Sequence, residues 1–136
     1  MQYWIVVVSK DHVRKALKGG FCQACHGKKW PLEKMQAGDR VLFYSSKLKY
    51  GSSESYQKFT AIGMVKKGDP YQDTVDSDFS PYRKDIAFME CRESRIHPIL
   101  TQLHFSQHAK NWGYKLMSGF LEIDKHDFEL ISKTML

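Results

Sequence analysis

An uninterrupted run of β-branched and aromatic residues, Tyr3-Trp4-Ile5-Val6-Val7-Val8, stands at the start of the chain. Residues of this kind favour extended backbone, and a strand exposed on one face would alternate apolar with polar side chains. Continuous apolarity instead predicts a strand that is buried on both faces. The chain must therefore build a sheet around this central strand and cover both sides of it.

Further helices and strands are predicted from the patterns that follow. Ser9 is placed to cap a helix, and the glycine pair 19–20 supplies its left-handed stop. A short helix is expected from Pro98, and Asp124 is expected to cap a C-terminal helix. Strand-like runs occupy residues 40–45, 58–65, 86–91 and 120–123, of which the first two should pair as a hairpin. The polar segments 46–57 and 67–81 are expected to be surface loops, the first of them mobile.

The order of these elements predicts the fold class. Strands and helices do not alternate regularly, which argues against a doubly wound parallel sheet. We expect an α+β fold, with about five or six strands in a curved or closed sheet and about three or four short helices around it. The chain has 136 residues, and no repeat, low-complexity segment or linker divides it. The prediction is a single domain over residues 1–136.

Cysteine usage and charge bear on the compartment and the partners. Three cysteines in a chain without a secretory signal favour reduced thiols over disulfides. The longest apolar run, Trp4 to Val8, is too short to cross a membrane. We therefore expect a cytoplasmic protein with no membrane partner. The formal net charge of +6 is spread along the chain, which attracts polyanions without selecting among them.

The segment Cys22-Gln23-Ala24-Cys25-His26 has the C-x-x-C-H spacing of covalent haem attachment. Haem attachment of that type occurs in exported proteins, so the prediction is that no cofactor is bound. Zinc held by the two thiols together with His104 and His108 is a second possibility, but the two pairs lie too far apart for a zinc finger. Buried cysteines and surface histidines are the favoured interpretation, with no metal site.

Aromatic residues are more informative, because they occur at predicted strand ends and beside glycines. Trp4 and Phe43 are expected in the core, whereas Trp112 lies between Asn111 and Gly113 in a predicted turn. The aromatic residues in question are Tyr3, Trp4, Phe21, Phe43, Tyr44, Tyr82 and Trp112, and the cations among them are Lys28, Arg83 and Lys110. A flat pocket edged with cations suits a nucleobase and its phosphate, since each base stacked on an aromatic ring contributes about 1 to 3 kcal/mol.

A series of short motifs in order carries a resemblance to a known family. They are Tyr3-Trp4, residues 9–13, Gly20-Phe21, Gln23, residues 25–28, Pro31-Leu32, Met35, Gly38-Asp39, Tyr44-Ser45, residues 59–63, residues 81–83, residues 111–113 and Phe128. Together they resemble the EVE domain proteins of the UPF0310 type over nearly the whole chain. The resemblance implies a PUA-like pseudo-barrel, related to the YTH readers of methylated adenine, that binds a modified base in DNA or RNA.

The residues themselves suggest a site for such a base, and the resemblance implies a partner. A flipped base would enter a pocket of Ser9, Phe21, Gln23, Tyr44, Ser45, Tyr82 and Trp112, and Lys28, Arg83 and Lys84 would hold the flanking phosphates. The protein would be a stand-alone reader or would act in trans with a restriction or RNA-processing protein. A tryptophan wall of YTH domains is replaced here by residues 20–23, so a YTH-like preference for N6-methyladenine is not expected.

Two alternatives remain beside the base reader, which is expected not to be an enzyme. In the first, the same pocket serves a small-molecule sensor or a cryptic enzyme, with Cys25 and His26 as reactive groups. None of the common catalytic motifs is present, such as G-x-S-x-G, H-E-x-x-H or a P-loop. In the second alternative the pocket is vestigial and the domain is an interaction module.

Overall fold

The structure, a computed structural model, describes residues 1–106 and 111–136, so His108 and Lys110 lie outside the described residues. The strands are β1 (Tyr3–Val7), β2 (Phe21–Cys22), β3 (Arg40–Lys47), β4 (Ser55–Val65), β5 (Tyr71–Gln72), β6 (Tyr82–Phe88), β7 (Ser94–Arg95) and β8 (Phe120–Ile123). The helices are α1 (Lys10–Gly19), α2 (Trp30–Lys34) and α3 (Lys125–Met135), with short 3-10 turns at Cys25–Gly27, His97–Ile99 and Lys115–Ser118.

Six strands form one mixed sheet in the order β2-β6-β4-β3-β1-β8, with β5 paired to β6 and β7 paired to β4. The sheet curls into a half-barrel with the three helices around it. The predicted α+β pseudo-barrel with five or six mixed strands is therefore confirmed.

Strand β1 lies inside the sheet, as its continuous apolarity predicted. It runs parallel to β3, with Val6 opposite Phe43, and antiparallel to β8, with Ile5 opposite Leu121. Trp4, Ile5 and Val6 are all buried. Because successive side chains leave a strand on opposite faces, Trp4 and Val6 join one core cluster and Ile5 joins the other.

The two core clusters cover the two faces of the sheet. The first contains Val13 and Ala16 of α1 and Leu32 of α2, and the second contains Ile131 and Met135 of α3. The helices thus bury both faces of β1, in which the side chains from Trp4 to Val6 do not face solvent. Burial of such surface contributes roughly 25 cal/mol per Å².

The predicted hairpin of the second and third long strands is confirmed as β3 and β4, which pair from Arg40 opposite Met64 to Lys47 opposite Ser55. Strand β4 begins three residues earlier than predicted and takes residues 55–57 from the expected loop. Register shifts between Phe43 and Tyr44 and between Ser45 and Lys47 mark irregular pairing near the end of β3. Mobility of the remaining loop stays a prediction.

The strand expected at residues 86–91 is displaced, since β6 covers Tyr82–Phe88. Lys84 accounts for the difference, because a buried lysine breaks the apolar alternation expected of a strand. The expected loop 67–81 also contains β5, which pairs with β6 through Tyr71 opposite Arg83.

The helix ends follow the sequence signals closely. Gly20 closes α1 in the left-handed conformation with φ of 71°, and Asp124 accepts a 2.8 Å hydrogen bond from the backbone N–H of Asp127 at the start of α3. Ser9 occupies the N-cap position of α1, but its side chain makes no capping bond there. Within the described residues, no helix has both the length and the apolar surface needed to cross a bilayer.

Asp39 joins the start of the chain to the turn before β3. Its buried carboxylate accepts hydrogen bonds from the backbone N–H groups of Gln2 (3.0 Å) and Gln36 (3.0 Å) and from the indole N–H of Trp4 (2.9 Å). Burial alone would raise the pKa of this carboxyl, but the bonds from Gln36, Trp4 and Gln2 outweigh it and lower the pKa below its ordinary value of 3.8. The charged form is therefore the one that stabilises the fold.

Replacing Asp39 with Asn should lower the free energy of unfolding by about 1 to 3 kcal/mol at neutral pH, because an amide cannot accept from all three donors. A folded pKa below the unfolded one gives stability that is present above pH 3.8 and is lost as pH falls through the folded value. Urea unfolding across this pH range should show the wild-type advantage shrinking toward acid. Asp69→Asn, in an exposed loop, is the control and should leave the unfolding midpoint unchanged. An equal loss at every pH would contradict the role of the charge.

Candidate functional site

A cleft of about 1310 Å³ opens where β1 ends and α1 begins. Two backbone bonds form its base, from the N–H of Val7 to the carbonyl of Gly119 (2.9 Å) and from the N–H of Val8 to the carbonyl of Tyr44 (3.1 Å). The first turn of α1, the 23–28 segment, the end of β3 and the loops 46–52 and 111–119 contribute its walls. Segments that are far apart in sequence therefore meet at one end of the half-barrel.

Five of the predicted site residues line this cleft: Ser9, Gln23, Lys28, Tyr44 and Trp112. Trp112 is half-buried against the α3-side core, and its ring meets that of His97 edge to face at 5.6 Å. The packing holds this indole at the cleft wall, in the kind of turn that its glycine and asparagine neighbours indicated. Gln23 is 8% exposed, so its amide is almost enclosed.

Two of the predicted residues are corrected by their burial. Ser45 is fully buried, and its hydroxyl shares a 2.9 Å hydrogen bond with that of Thr60. Lys84 is 7% exposed, and its ammonium donates to the carbonyl of Met35 at 2.8 Å. Ser45 therefore does not line the cleft, and Lys84 is committed to the interior instead of a phosphate.

The remaining predicted residues lie behind the cleft wall. Phe21 is buried, and the guanidinium of Arg83 lies 4.0 Å from the centre of its ring. Arg83 donates from Nε to Oε1 of Gln23 at 3.1 Å and pairs through Nη1 with the carboxylate of Asp73. Tyr82 is half-buried, with the ammonium of Lys29 5.6 Å from its ring centre. Arg83 thus supports Gln23, and none of these three residues is among those that line the cleft.

Several lining residues were not predicted from the sequence. They are His12 and Lys47, which belong to α1 and β3, and the aromatic side chains of Trp30, Tyr50 and Phe79. Trp30 is 44% exposed, which is unusual for so large an apolar ring. Trp30 follows Lys29 and directly precedes Pro31, which fixes the start of a short helix. This local sequence could have signalled that Trp30 is exposed.

The C-x-x-C-H segment forms a strained turn. Cys25 and His26 have φ of 49° and 60°, and Gly27 follows with φ of 85°. A side chain at Gly27 would come within 2.5 Å of Cβ of Pro81, so this position needs glycine. Positive φ at non-glycine residues costs of order 1 to 3 kcal/mol and is concentrated at functional sites.

The two thiols of this segment occupy different surroundings. Cys22 is fully buried in the core, whereas Cys25 lines the cleft and its thiol donates to the carbonyl of Ser118 at 3.6 Å. The burial of Cys22 supports the interpretation of this residue as a core cysteine. His26 packs edge to face against Tyr50 at 5.5 Å, which places the imidazole at the cleft mouth.

Burial also sets the protonation of the cleft. It lowers the pKa of His12, with the positive charges of Arg83 and Lys15 acting in the same direction and Asp11 opposing them. Burial raises the pKa of the Tyr44 phenol and of the Cys25 thiol, the latter partly offset by Lys28. At neutral pH these three groups are therefore an uncharged imidazole, a phenol and a thiol.

A group of potential metal ligands lies away from the cleft, at the start of α3. The ligand atoms of His104, Asp124, His126 and Asp127 all lie within 4.8 Å of one another. Each is engaged in hydrogen bonding, with Nδ1 of His104 2.7 Å from Asp124 and Nδ1 of His126 2.9 Å from Asp127. His104 thus belongs to this group and not to a site with the two cysteines of the 22–26 segment.

Known proteins of one family match this chain over nearly its whole length. The EVE domain family matches residues 2–134. A UPF0310 protein of Mycolicibacterium vanbaalenii is 45% identical over 136 residues, which cover 100% of this chain and 94% of that protein. The UPF0310 protein YdcG of Bacillus subtilis is 43% identical, over 98% of this chain and 91% of its own length.

Solved structures share the fold at low identity. The YTH domain of Zygosaccharomyces rouxii MRB1, in complex with N6-methyladenosine RNA, has a TM-score of 0.62 at 14% identity, over 97% of this chain and 84% of that one. Human THYN1, in complex with DNA that contains 5-methylcytosine, has a TM-score of 0.56 at 11% identity, over 98% of this chain and 96% of that one.

The raised pKa of Cys25 predicts slow alkylation. A thiol whose pKa exceeds its ordinary value of 9.0 is less than about 1% thiolate at pH 7, and the thiolate is the reactive form. The rate of modification by iodoacetamide, followed by mass spectrometry, should keep rising above pH 9, and Cys22 should react only in denaturant. Fast alkylation of Cys25 at pH 7 would contradict this prediction and favour a catalytic thiol.

Proposed function

The chain belongs to the EVE domain family, and from this premise we propose that its cleft binds one nucleobase, a modified one, in DNA or RNA. The observation that carries the proposal is the cleft itself, which combines exposed aromatic rings, enclosed polar groups and two lysines. Two proteins with the same fold were solved with an N6-methyladenosine RNA and a 5-methylcytosine DNA. Bases that carry a methyl group are therefore the first candidates for the cleft of this protein.

The aromatic walls supply affinity that does not depend on base identity. Trp112 stacks on the base from the 111–119 loop, and Trp30 and Phe79 are exposed rings of the same cleft. Stacking contributes about 1 to 3 kcal/mol per base, which offsets the few kcal/mol needed to take a base out of a duplex. A methyl group on the base adds apolar area to the same contact.

Selectivity resides in the polar groups of the cleft. Ser9, Gln23 and Tyr44 contact the edge of the base, and His12 joins them as a fourth polar group. Nε2 of His12 is buried with no hydrogen-bond partner within the described residues. A buried polar atom without a partner costs about 1 to 3 kcal/mol, so a base that bonds to it is favoured over one that does not.

The phosphates flanking the base contact Lys28 and Lys47 at the mouth of the cleft. Lys28 keeps the role predicted from the sequence, and Lys47 takes the place of Arg83 and Lys84, which are engaged inside the protein. Contacts of this kind add affinity that falls with salt and carries no sequence information.

In this proposal the domain binds nucleic acid and catalyses no reaction. A protein that cuts or processes the nucleic acid, such as a restriction or RNA-processing enzyme acting in trans, would supply the chemistry. The alternative of a small-molecule sensor or enzyme is favoured by one observation, since Cys25 and His26 both line the cleft. The raised pKa of Cys25 argues against it, because a nucleophilic cysteine requires a lowered one.

Trp112→Ala should weaken the binding of the best fluorescent oligonucleotide about tenfold or more, which corresponds to about 1.4 kcal/mol. The panel would contain single- and double-stranded oligonucleotides with N6-methyladenine, 5-methylcytosine, 5-hydroxymethylcytosine or unmodified bases. Tyr114→Ala is the matched control, since this ring is 71% exposed and lies outside the cleft.

Equal loss in the two variants would remove Trp112 from the site. Weak wild-type binding that falls with salt and is indifferent to every modification would reduce the interaction to the net charge of +6.

Lys28→Ala should weaken all oligonucleotides similarly and reduce the slope of log K against log salt by about one, since one phosphate contact is lost. The charge-matched control is Lys133→Ala on the exposed side of α3, which should leave the slope unchanged. A changed preference among bases with an unchanged slope would show that Lys28 reads the base instead.

A further inference from the structure

We propose, on the premise that the cleft takes a base, that two internal hydrogen bonds fix the polarity of its walls. The bond from Arg83 makes Gln23 a donor toward the cleft, and the bond to Asp11 makes Ser9 an acceptor. The base edge that fits must then carry an acceptor opposite Gln23 and a donor opposite Ser9.

The orientation of Gln23 follows from the chemistry of arginine. The guanidinium has only donors, so the atom of Gln23 that lies 3.1 Å from Nε of Arg83 is the carbonyl Oε1. The amide NH₂ of Gln23 is left for the cleft, and it can only donate. An isolated glutamine could turn by half a rotation and exchange the two roles, and this bond prevents it.

Arg83 is itself held on two further sides. Its guanidinium lies 4.0 Å from the ring centre of Phe21, and its Nη1 is paired with Asp73. The Arg83 side chain is only 15% exposed, so this arrangement is largely shielded from solvent. Arg83 is therefore a positioning residue for Gln23.

The polarity of Ser9 follows from a carboxylate. Its hydroxyl donates to Oδ1 of Asp11, two residues further along the first turn of α1. A hydroxyl has one proton, so Oγ of Ser9 offers only lone pairs to the cleft. This bond takes the place of the N-cap bond that the position of Ser9 would otherwise allow.

The other two polar groups adapt to the base. Nε2 of His12 donates or accepts according to its tautomer, and the hydroxyl of Tyr44 rotates. Gln23 and Ser9 therefore impose a mixed pattern of donor and acceptor, and His12 and Tyr44 complete it. The Watson–Crick edge of each base offers a donor beside an acceptor, as the amino group and ring nitrogen of adenine and cytosine do, whereas an edge of acceptors alone, such as N7 and O6 of guanine, is disfavoured.

Gln23→Glu tests this directly, because it keeps the acceptor for Arg83 and replaces the NH₂ by an oxygen. Affinity for the oligonucleotide that wild type binds best should fall about tenfold or more, with the salt slope unchanged. Gln102→Glu, at an exposed position, adds the same charge elsewhere and should have no effect. Arg83→Lys should reduce the ratio between the strongest and the weakest affinity in the oligonucleotide panel about fivefold, with the slope of log K against log salt unchanged. Unaltered binding by Gln23→Glu, or an unchanged range of affinities in Arg83→Lys, would overturn the inference.

Nuclear magnetic resonance separates this inference from the proposed function, since it needs no nucleic acid. The Nε proton of Arg83 should exchange slowly with water in the wild type and rapidly in Gln23→Leu. The comparison is made under conditions in which both proteins are fully folded. If no oligonucleotide binds to the wild type, the proposed function fails while a protected Arg83 signal still supports the fixed polarity. An unprotected Arg83 signal in the wild type refutes the fixed polarity even if oligonucleotides bind.

Discussion

Burial of β1 on both faces is the constraint on which the rest of the structure depends. Because Trp4, Ile5 and Val6 leave no face for water, the chain must place α1 and α2 on one side and α3 on the other. The strand ends at Val7, and its last backbone bonds reach Gly119 and Tyr44. The cleft therefore opens where the sheet stops and α1 begins, at a position that the core itself determines.

The interior of the cleft is arranged by residues that never line it. Phe21 and Asp73 hold Arg83, which bonds Gln23, and Asp11 accepts the hydroxyl proton of Ser9. Burial keeps the cleft groups His12, Tyr44 and Cys25 uncharged, and the lysines that line the described part of the cleft, Lys28 and Lys47, lie at its mouth. This separation of a neutral interior from a cationic mouth suits a ligand with a neutral ring and a charged backbone.

The family relationship and the structural likeness carry different information. The EVE domain family matches residues 2–134, and UPF0310 relatives above 40% identity cover nearly the whole chain. The YTH domain and THYN1, at 14% and 11% identity, share the fold alone. Our proposal for what this protein recognises therefore rests on its own cleft residues, and chiefly on Gln23, Ser9 and Trp112.

Five of the residues predicted for a site line the cleft. Local patterns in the sequence determined the central strand, the hairpin and the ends of α1 and α3. These depend on neighbours within a few positions, as the apolar run of β1 and the capping bond of Asp124 illustrate. Strand alternation also could have separated Tyr44 from Ser45, since adjacent side chains leave β3 on opposite faces. The structure alone decided that Lys84 is buried and that Arg83 bonds Gln23, because their partners are 49 and 60 residues away. A charged side chain has no local pattern that reveals whether it will meet solvent or a distant acceptor, and only the folded chain brings the acceptor to it.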